Sequence, residues 1–450
     1  MKARLTMIAT AAALAVVVFV VGALGPGRSK DAPSSSAVTA TPDAFLGPAS
    51  AAGSLDASIA SLESKLEAKP DDWKSSAALG IAYVQRARIT SDPSTYPLAQ
   101  VVLNRSLKLQ PTDNAEALVG LGTLAAARHH FTEALRWGDR AVTSAPYDAD
   151  VYGLVGDAQL ELGRYGAAFG SFQHMIDLRP NLASYARVSY ALELRGNVDG
   201  AIAAMRAAYD VAAGPADTAW AAAHIAKIQF GAGRLADAEK WFRRARAADP
   251  GSMDAVAGLA LIAWASGDLQ GAIAAYEGLA SRYPSPEHVA VLGDLYAAAG
   301  DHEAATAQYE LVRAEAKLFR ANGVDTDLEI ALFEADHAGG HSARAALRAA
   351  RAEWARRRSV HVADAYAWAL YANGDYRRAS ALAASALRLG TRNALFLFHA
   401  GMIRLRLRDE AGARSFLRQA RDVNPFFSVR WSPVLRRTLS RLGDGEGSVS

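Results

Sequence analysis

The chain has no cysteine among its 450 residues. That excludes a disulfide framework, an iron–sulfur cluster, a thiolate zinc site and a lipidated cysteine. It also lacks a surplus of one charge: 49 Lys and Arg against 46 Asp and Glu leave +3. A nucleic-acid partner, which calls for a one-sided basic excess, is therefore not expected. Lysine itself is scarce, 9 against 40 Arg. With abundant alanine, this is the bias of a high-GC bacterial genome. Catalytic signatures are missing too, since no P-loop, G-x-S-x-G or H-E-x-x-H motif occurs. Gly120-Leu121-Gly122 and Gly231-Ala232-Gly233 follow no strand and read as close helix packing. Asp336, His337 and His341 read as a solvated turn, because Gly339-Gly340 interrupts the helix between the two histidines. No reaction, cofactor or metal is expected. What the chain does have is 51% hydrophobic residues, enough for a sizeable core.

Lys2 and Arg4 precede an uncharged run from Leu5 to Leu24. A run of this length crosses a bilayer core of roughly 30 Å as a helix, whereas a secretory h-region spans about 7–15 residues. Residues 1–24 thus read as a signal anchor or, alternatively, as a cleaved signal peptide. The flanking charges place the N-terminus on the cytoplasmic side. The expected location is a bacterial inner membrane, single pass, with the bulk of the chain extracytoplasmic. If the segment is cleaved, the protein is secreted or periplasmic. Residues 25–53 hold Pro26, Pro33, Pro42 and Pro48 with Ser34-Ser35-Ser36 and read as a flexible tether. Its root-mean-square span is about 30 Å.

From residue 54 the pattern is helical, and an internal period dominates. A glycine followed five residues later by alanine recurs at Gly163/Ala168, Gly196/Ala201, Gly233/Ala238, Gly267/Ala272, Gly300/Ala305, Gly340/Ala345 and Gly374/Ala379. Ala134 and Ala413 extend the series, and most steps are 33 or 34 residues. Pro111, Pro146, Pro180, Pro250, Pro284 and Pro425 keep the same phase. The physical reading is a helix pair. Glycine stops the first helix at a position that wants positive φ. Alanine lies where the second helix crosses the first, and a second small residue follows two turns on at Ala141, Ala245, Ala386 and Ala420. Proline ends the second helix. A single pair cannot bury its own apolar face, so neighbours must stack.

This pattern resembles the tetratricopeptide repeat. Residues 219–252 carry it clearly, with Ile225-Ala226, Gly233, Ala238, Phe242, Ala245 and Pro250. The resemblance implies an all-α fold, an α-solenoid wound as a right-handed superhelix of about ten helix-turn-helix units over residues 71–427. Departures are His129 and Arg408 in place of the usual glycine, and an irregular unit near Asn322. More loosely, the chain is similar to bacterial extracytoplasmic repeat proteins. Residues 54–70 read as an N-terminal capping helix, and residues 428–450 as a C-terminal capping helix and tail. Phe426, Phe427 and Trp431 read as a cover over the last unit.

The resemblance also implies that the first helix of each unit lines a concave groove. Reading the ligand-facing positions gives acids and aromatics with few bases. The partner-binding candidates are Asp157, Glu193, Tyr190, Trp220, Lys227, Trp264, Asp294, Glu334, Trp368 and Tyr371. For the aromatics, inter-repeat core is the favoured reading and the groove the alternative, because aromatics at helical spacing are usually packed. The acids Asp157, Asp294 and Glu334 fall in mid-helix with almost no opposing base, so the groove is expected to be acidic and uncompensated. The expected function is a non-catalytic protein-interaction scaffold holding a partner protein or extended peptide, basic or neutral-polar with an apolar anchor. The alternative is an accessory subunit of an envelope enzyme, transporter or polysaccharide system, contacting glycan through the groove aromatics. The oligomeric state is not legible.

The N-terminal reading has a direct check. The anchor reading predicts recovery in the membrane fraction with the chain's own first residues intact. N-terminal sequencing that starts near residue 24 of a soluble product would overturn it.

Overall fold

The computed structural model describes residues 50–443, apart from residues 91, 283–284 and 338–339. The expected anchor at 1–24 and almost all of the tether at 25–53 lie outside the described residues. Among the described residues, no helix is long and apolar enough to cross a membrane.

The first helix, α1, spans Ser50–Ala68, starting a few residues before the expected cap. Ten antiparallel pairs follow, numbered here as units 1 to 10. Units 1 to 3 are α2/α3 (Trp73–Thr90, Tyr96–Leu109), α4/α5 (Ala115–Ala127, Phe131–Ser144) and α6/α7 (Ala149–Glu161, Tyr165–Leu178). Units 4 to 6 are α8/α9 (Leu182–Leu194, Val198–Asp210), α10/α11 (Pro215–Gly231, Leu235–Ala248) and α12/α13 (Met253–Ala265, Leu269–Arg282). Units 7 and 8 are α14/α15 (Pro286–Ala299, His302–Ala321) and α16/α17 (Asp327–Asp336, Gly340–Arg356). Units 9 and 10 are α18/α19 (Val360–Ala372, Tyr376–Ala386) and α20/α21 (Ala394–Arg406, Glu410–Val423). A final helix, α22, spans Ser432–Arg441. The described residues contain no strand. The chain is a helical solenoid of about the expected number of units.

The small residues sit where the sequence put them. Ala134, Ala168, Ala201, Ala238, Ala272, Ala379 and Ala413 are wholly buried at the helix crossings. Unit 8 is the exception. There Ala346 is wholly buried and Ala345 only half so, because Gly340 opens α17 instead of closing α16. The expected phase is off by one residue in that unit. Caps are regular: Asn114, Asn181, Ser252, Ser285 and Ser359 each accept a backbone N–H at the start of a first helix. His129 and Arg408, standing where most units have glycine, still adopt φ of +64° and +62°.

The solenoid closes on itself. The Asp325 backbone N–H donates to the Arg128 carbonyl at 3.1 Å, and His129 Nδ1 lies 2.6 Å from the Asp325 carbonyl, 196 residues on. The Val360 N–H donates to the Tyr165 hydroxyl at 2.7 Å, across 195 residues. Thr391 Oγ1 donates to the Leu194 carbonyl at 2.6 Å, across 197. Asn424 Nδ2 donates to the Phe230 carbonyl at 2.8 Å, across 194. In each case the turn inside an early unit meets the connection that leads out of a late unit. The steady separation means that one superhelical turn takes fewer than six units, and that the second turn rests directly on the first. Apolar contact follows the same seam. Leu160, Tyr165 and Leu194 share a core cluster with Val360, Ala363 and Phe396, while Leu121 and Leu124 meet Phe319 and Val324.

Three turn glycines lie on that seam. A Cβ on Gly163 would stand 2.4 Å from the Arg358 carbonyl oxygen, one on Gly196 2.3 Å from that of Gly390, and one on Gly233 2.6 Å from that of Val423. Gly267, Gly300 and Gly374 share the left-handed backbone but would meet nothing within 4 Å. Alanine at any of them carries the left-handed penalty of about 1–2 kcal/mol. Gly196→Ala should therefore lower the thermal midpoint clearly more than Gly300→Ala, because only the former also drives the turns apart. Equal losses would show that the turns do not touch.

Candidate binding surface

First helices of neighbouring units contact one another at α2/α4, α4/α6, α6/α8, α10/α12, α16/α18 and α18/α20, and the resemblance implies that this row lines the inner surface of the superhelix. The candidate residues on this surface divide into three groups. In the first group are the mid-helix acids, and these are not uncompensated. Asp157 is 2% exposed, and its carboxylate takes a two-pronged bond from Arg187, Nε at 2.9 Å and Nη2 at 2.8 Å. Glu334 is held the same way by Arg313, at 2.8 and 3.1 Å. Asp294 accepts from the Tyr309 hydroxyl at 2.9 Å and lies 3.1 Å from His337 Nε2 and 3.3 Å from Arg430 Nη1. The expectation of an unopposed acidic groove is therefore corrected. A cation or donors replace the hydration lost by a buried carboxylate, and for these three acids the partners come from a neighbouring helix, a neighbouring unit or the C-terminal segment. The seam carries a further example. Arg357 is 2% exposed and bridges Glu353 and Glu161.

The second group is core. Trp368 is 2% exposed. Its ring stacks on Tyr371 at 4.4 Å and on His399 at 4.0 Å, and meets Trp431 edge-on at 5.5 Å. Its indole N–H donates to Asp336 at 2.7 Å. Trp368 is a packing residue, not a groove platform. Asp336 also accepts the Trp431 indole N–H at 2.9 Å, so it anchors two tryptophans and is not part of a solvated turn. Tyr190 is likewise buried, at 8% exposure.

The third group stays half-buried and reaches solvent: Glu193, Trp220, Lys227, Trp264 and Tyr371. Trp220 lies over His224 at 3.9 Å between ring centroids. Lys227 bonds Asp254 at 2.7 Å. Burial pushes the Glu193 carboxyl up to about 7.

The sequence reading missed what covers part of this surface. Between α21 and α22 the chain turns inward across the first helices of units 6 to 10. Phe426 meets Trp264 edge-on at 6.0 Å. Val429 enters the core cluster of Ala260, Leu292 and Leu295. Arg430 reaches Asp294 and donates to the Asp336 carbonyl at 2.9 Å. Phe427 and Trp431 lie on Phe398, at 5.5 and 5.6 Å. The expected cover over unit 10 is present, and Phe426 and Arg430 extend it back to units 6 to 8.

With this geometry in view, comparison with known proteins is decisive for the family. The model of the tetratricopeptide repeat matches residues 96–149, 185–252, 225–286, 257–317 and 365–426, more than half of the chain. The chain belongs to the tetratricopeptide repeat family. Proteins of this family serve as protein-interaction scaffolds and are typically non-catalytic. No curated protein is similar enough to count as a relative. Among solved structures, a tetratricopeptide repeat protein from Parabacteroides merdae is 17% identical, covering 55% of this chain and 98% of its own, with a TM-score of 0.40. Yeast Tom70 is 14% identical, covering 87% and 86%, with a TM-score of 0.36.

Not every buried acid in these tetratricopeptide units is paired. Glu315, on α15, is 4% exposed and neither oxygen has a hydrogen-bond partner. Burial pushes its carboxyl up to about 8. A carboxyl whose folded value lies above its unfolded one costs stability as pH rises from the unfolded value to the folded one. The gain from Glu315→Gln should thus be near zero at pH 4, grow with pH, and level off above about 8. A pH-independent difference in denaturation midpoint would contradict this.

Proposed function

We propose that the protein is a non-catalytic scaffold that holds a partner protein or peptide segment against the inner surface of its superhelix. Residues 5–24 tether it to a bacterial inner membrane, with the solenoid on the extracytoplasmic side. The observation that carries this reading is the chain's treatment of its own residues 424–431. That surface holds a turn-rich segment by aromatic contacts at Phe426, Phe427 and Trp431 and by one arginine on a carboxylate, and Asn424 ties its start to the seam. These are the means by which a groove holds a foreign peptide, with aromatic anchors supplying area and a few polar bonds fixing register.

The segment leaves Trp220, Lys227 and Glu193, on α8 and α10 of units 4 and 5, uncovered by those contacts. We assign the partner to that stretch. The partner segment is neutral-polar to basic with an apolar anchor for Trp220. Because most inner acids are already neutralised by arginine, salt should weaken the complex only modestly. A glycan partner gains little support, since Trp264 faces Phe426 and Trp368 is buried, leaving one tryptophan of the three as a stacking platform.

The test is affinity capture from membranes with the full-length chain, repeated with Trp220→Ala combined with Lys227→Ala. One partner recovered in stoichiometric amount with the parent chain, and lost with the variant while its melting curve is unchanged, is the expected result. Equal recovery with both chains would remove the assignment.

A further inference from the structure

Between the two superhelical turns lies a cavity of about 70 Å³, walled mainly by Tyr96, Val312, Phe319, Val324, Ile330 and Phe333. Besides Tyr96, the polar residues in the lining are Thr326, Glu329 and His129. Glu329 is 7% exposed, and neither of its carboxylate oxygens has a hydrogen-bond partner. The Thr326 hydroxyl, at 9% exposure, is also without one. His129 Nδ1 lies 2.6 Å from the Asp325 carbonyl. A carbonyl can only accept, so Nδ1 carries the hydrogen and Nε2 keeps a lone pair. The cavity thus offers acceptors, and no arginine or lysine is among the residues that line it. Arg357 acts on Glu329 through its charge, but it spends Nη1 on Glu161 and Nε on Glu353, and its Nη2, which has no hydrogen-bond partner, makes no bond to Glu329. Glu353 and Asp327 add further negative charge around it. Two bare carboxylate oxygens in an apolar wall carry a desolvation cost that a bound donor would offset. Ala127, His129, Ala290 and Ile330 are half-buried, so the cavity has a rim open to solvent.

We propose that this cavity binds an alkylammonium group, an aliphatic stem ending in a primary cation, with Glu329 as its counter-charge. The stem packs on the Val312, Phe319 and Phe333 walls. The ammonium donates to Glu329 and to whichever of Thr326 Oγ1 and His129 Nε2 it reaches. The volume suits a stem of a few carbons. Two sources share this chemistry, a free small amine and the lysine side chain of another protein. The site is separate from the inner surface assigned to the partner above, and it does not rest on that reading.

The test is calorimetric titration of the full chain with n-butylammonium, with 1-pentanol as a neutral match in size, and with Nα-acetyl-lysine-N-methylamide. Butylammonium should bind saturably, at least about tenfold tighter than pentanol, and Glu329→Gln should remove that advantage, as expected for a charge-assisted bond. Ala290→Leu, which fills the rim, should abolish binding while the melting curve stays cooperative. If Glu329→Gln fails to fold, Ala290→Leu decides. If the lysine derivative binds as well as butylammonium, the ligand is a protein side chain; if only butylammonium binds, it is a free amine. Equal affinity for butylammonium and pentanol, retention of binding in a folded Glu329→Gln or Ala290→Leu chain, or no saturable binding at all overturns the proposal.

Discussion

The contact between consecutive superhelical turns is the constraint on which the rest of the structure depends. A left-handed residue closes the first helix of units 2 to 5, and its backbone lies against the connection that leads out of a unit on the next turn. At three of these places no side chain fits, so glycine is needed both for its backbone angle and for its missing Cβ. At the fourth, histidine takes the left-handed angle and uses its ring to bond the opposing carbonyl. A solenoid without this contact is held only by neighbour-to-neighbour stacking. Here the stack is also cross-tied by bonds spanning 194 to 197 residues.

Closure decides the chemistry of the interior. Side chains of the first helices are held partly by neighbouring units and partly, as at Arg357 and Glu161, across the seam. Several of the buried carboxylates are matched by arginine, whose planar fork meets a carboxylate with two bonds, while Glu315 and Glu329 have no hydrogen-bond partner. Arg187 on Asp157, Arg313 on Glu334 and Arg357 between two glutamates are examples. The C-terminal segment completes the filling on the side of units 6 to 10 and ties the last unit to the middle of the chain. Trp220 and Lys227, on α10, stay half-buried outside the reach of that segment's contacts.

Much of the fold was legible in the sequence because tetratricopeptide units are local. The alanine at most crossings, the glycine that ends most first helices and the proline after many second helices all report on contacts within one unit. The slip at Ala345 came from a glycine that starts a helix, which the same residue type cannot distinguish from one that ends it. The surface was less legible, and separation in sequence explains why. Arg187 lies 30 residues from Asp157 and Lys227 lies 27 from Asp254. Both distances are close to one unit, so opposite charges one period apart were a usable signal. Arg357 and Glu161, 196 residues apart, could be paired only by knowing how many units make a turn. The burial of Trp368 likewise depends on Trp431, which arrives from beyond the last unit.

The closed geometry is most directly tested by a distance across the seam. The absence of native cysteine allows spin labels to be placed cleanly at Arg195→Cys and Arg392→Cys, both exposed and on facing turns. Pulsed electron–electron resonance on the full chain should give a single narrow distribution at short distance. A long or broad distribution, as an open superhelix would produce, would contradict the account.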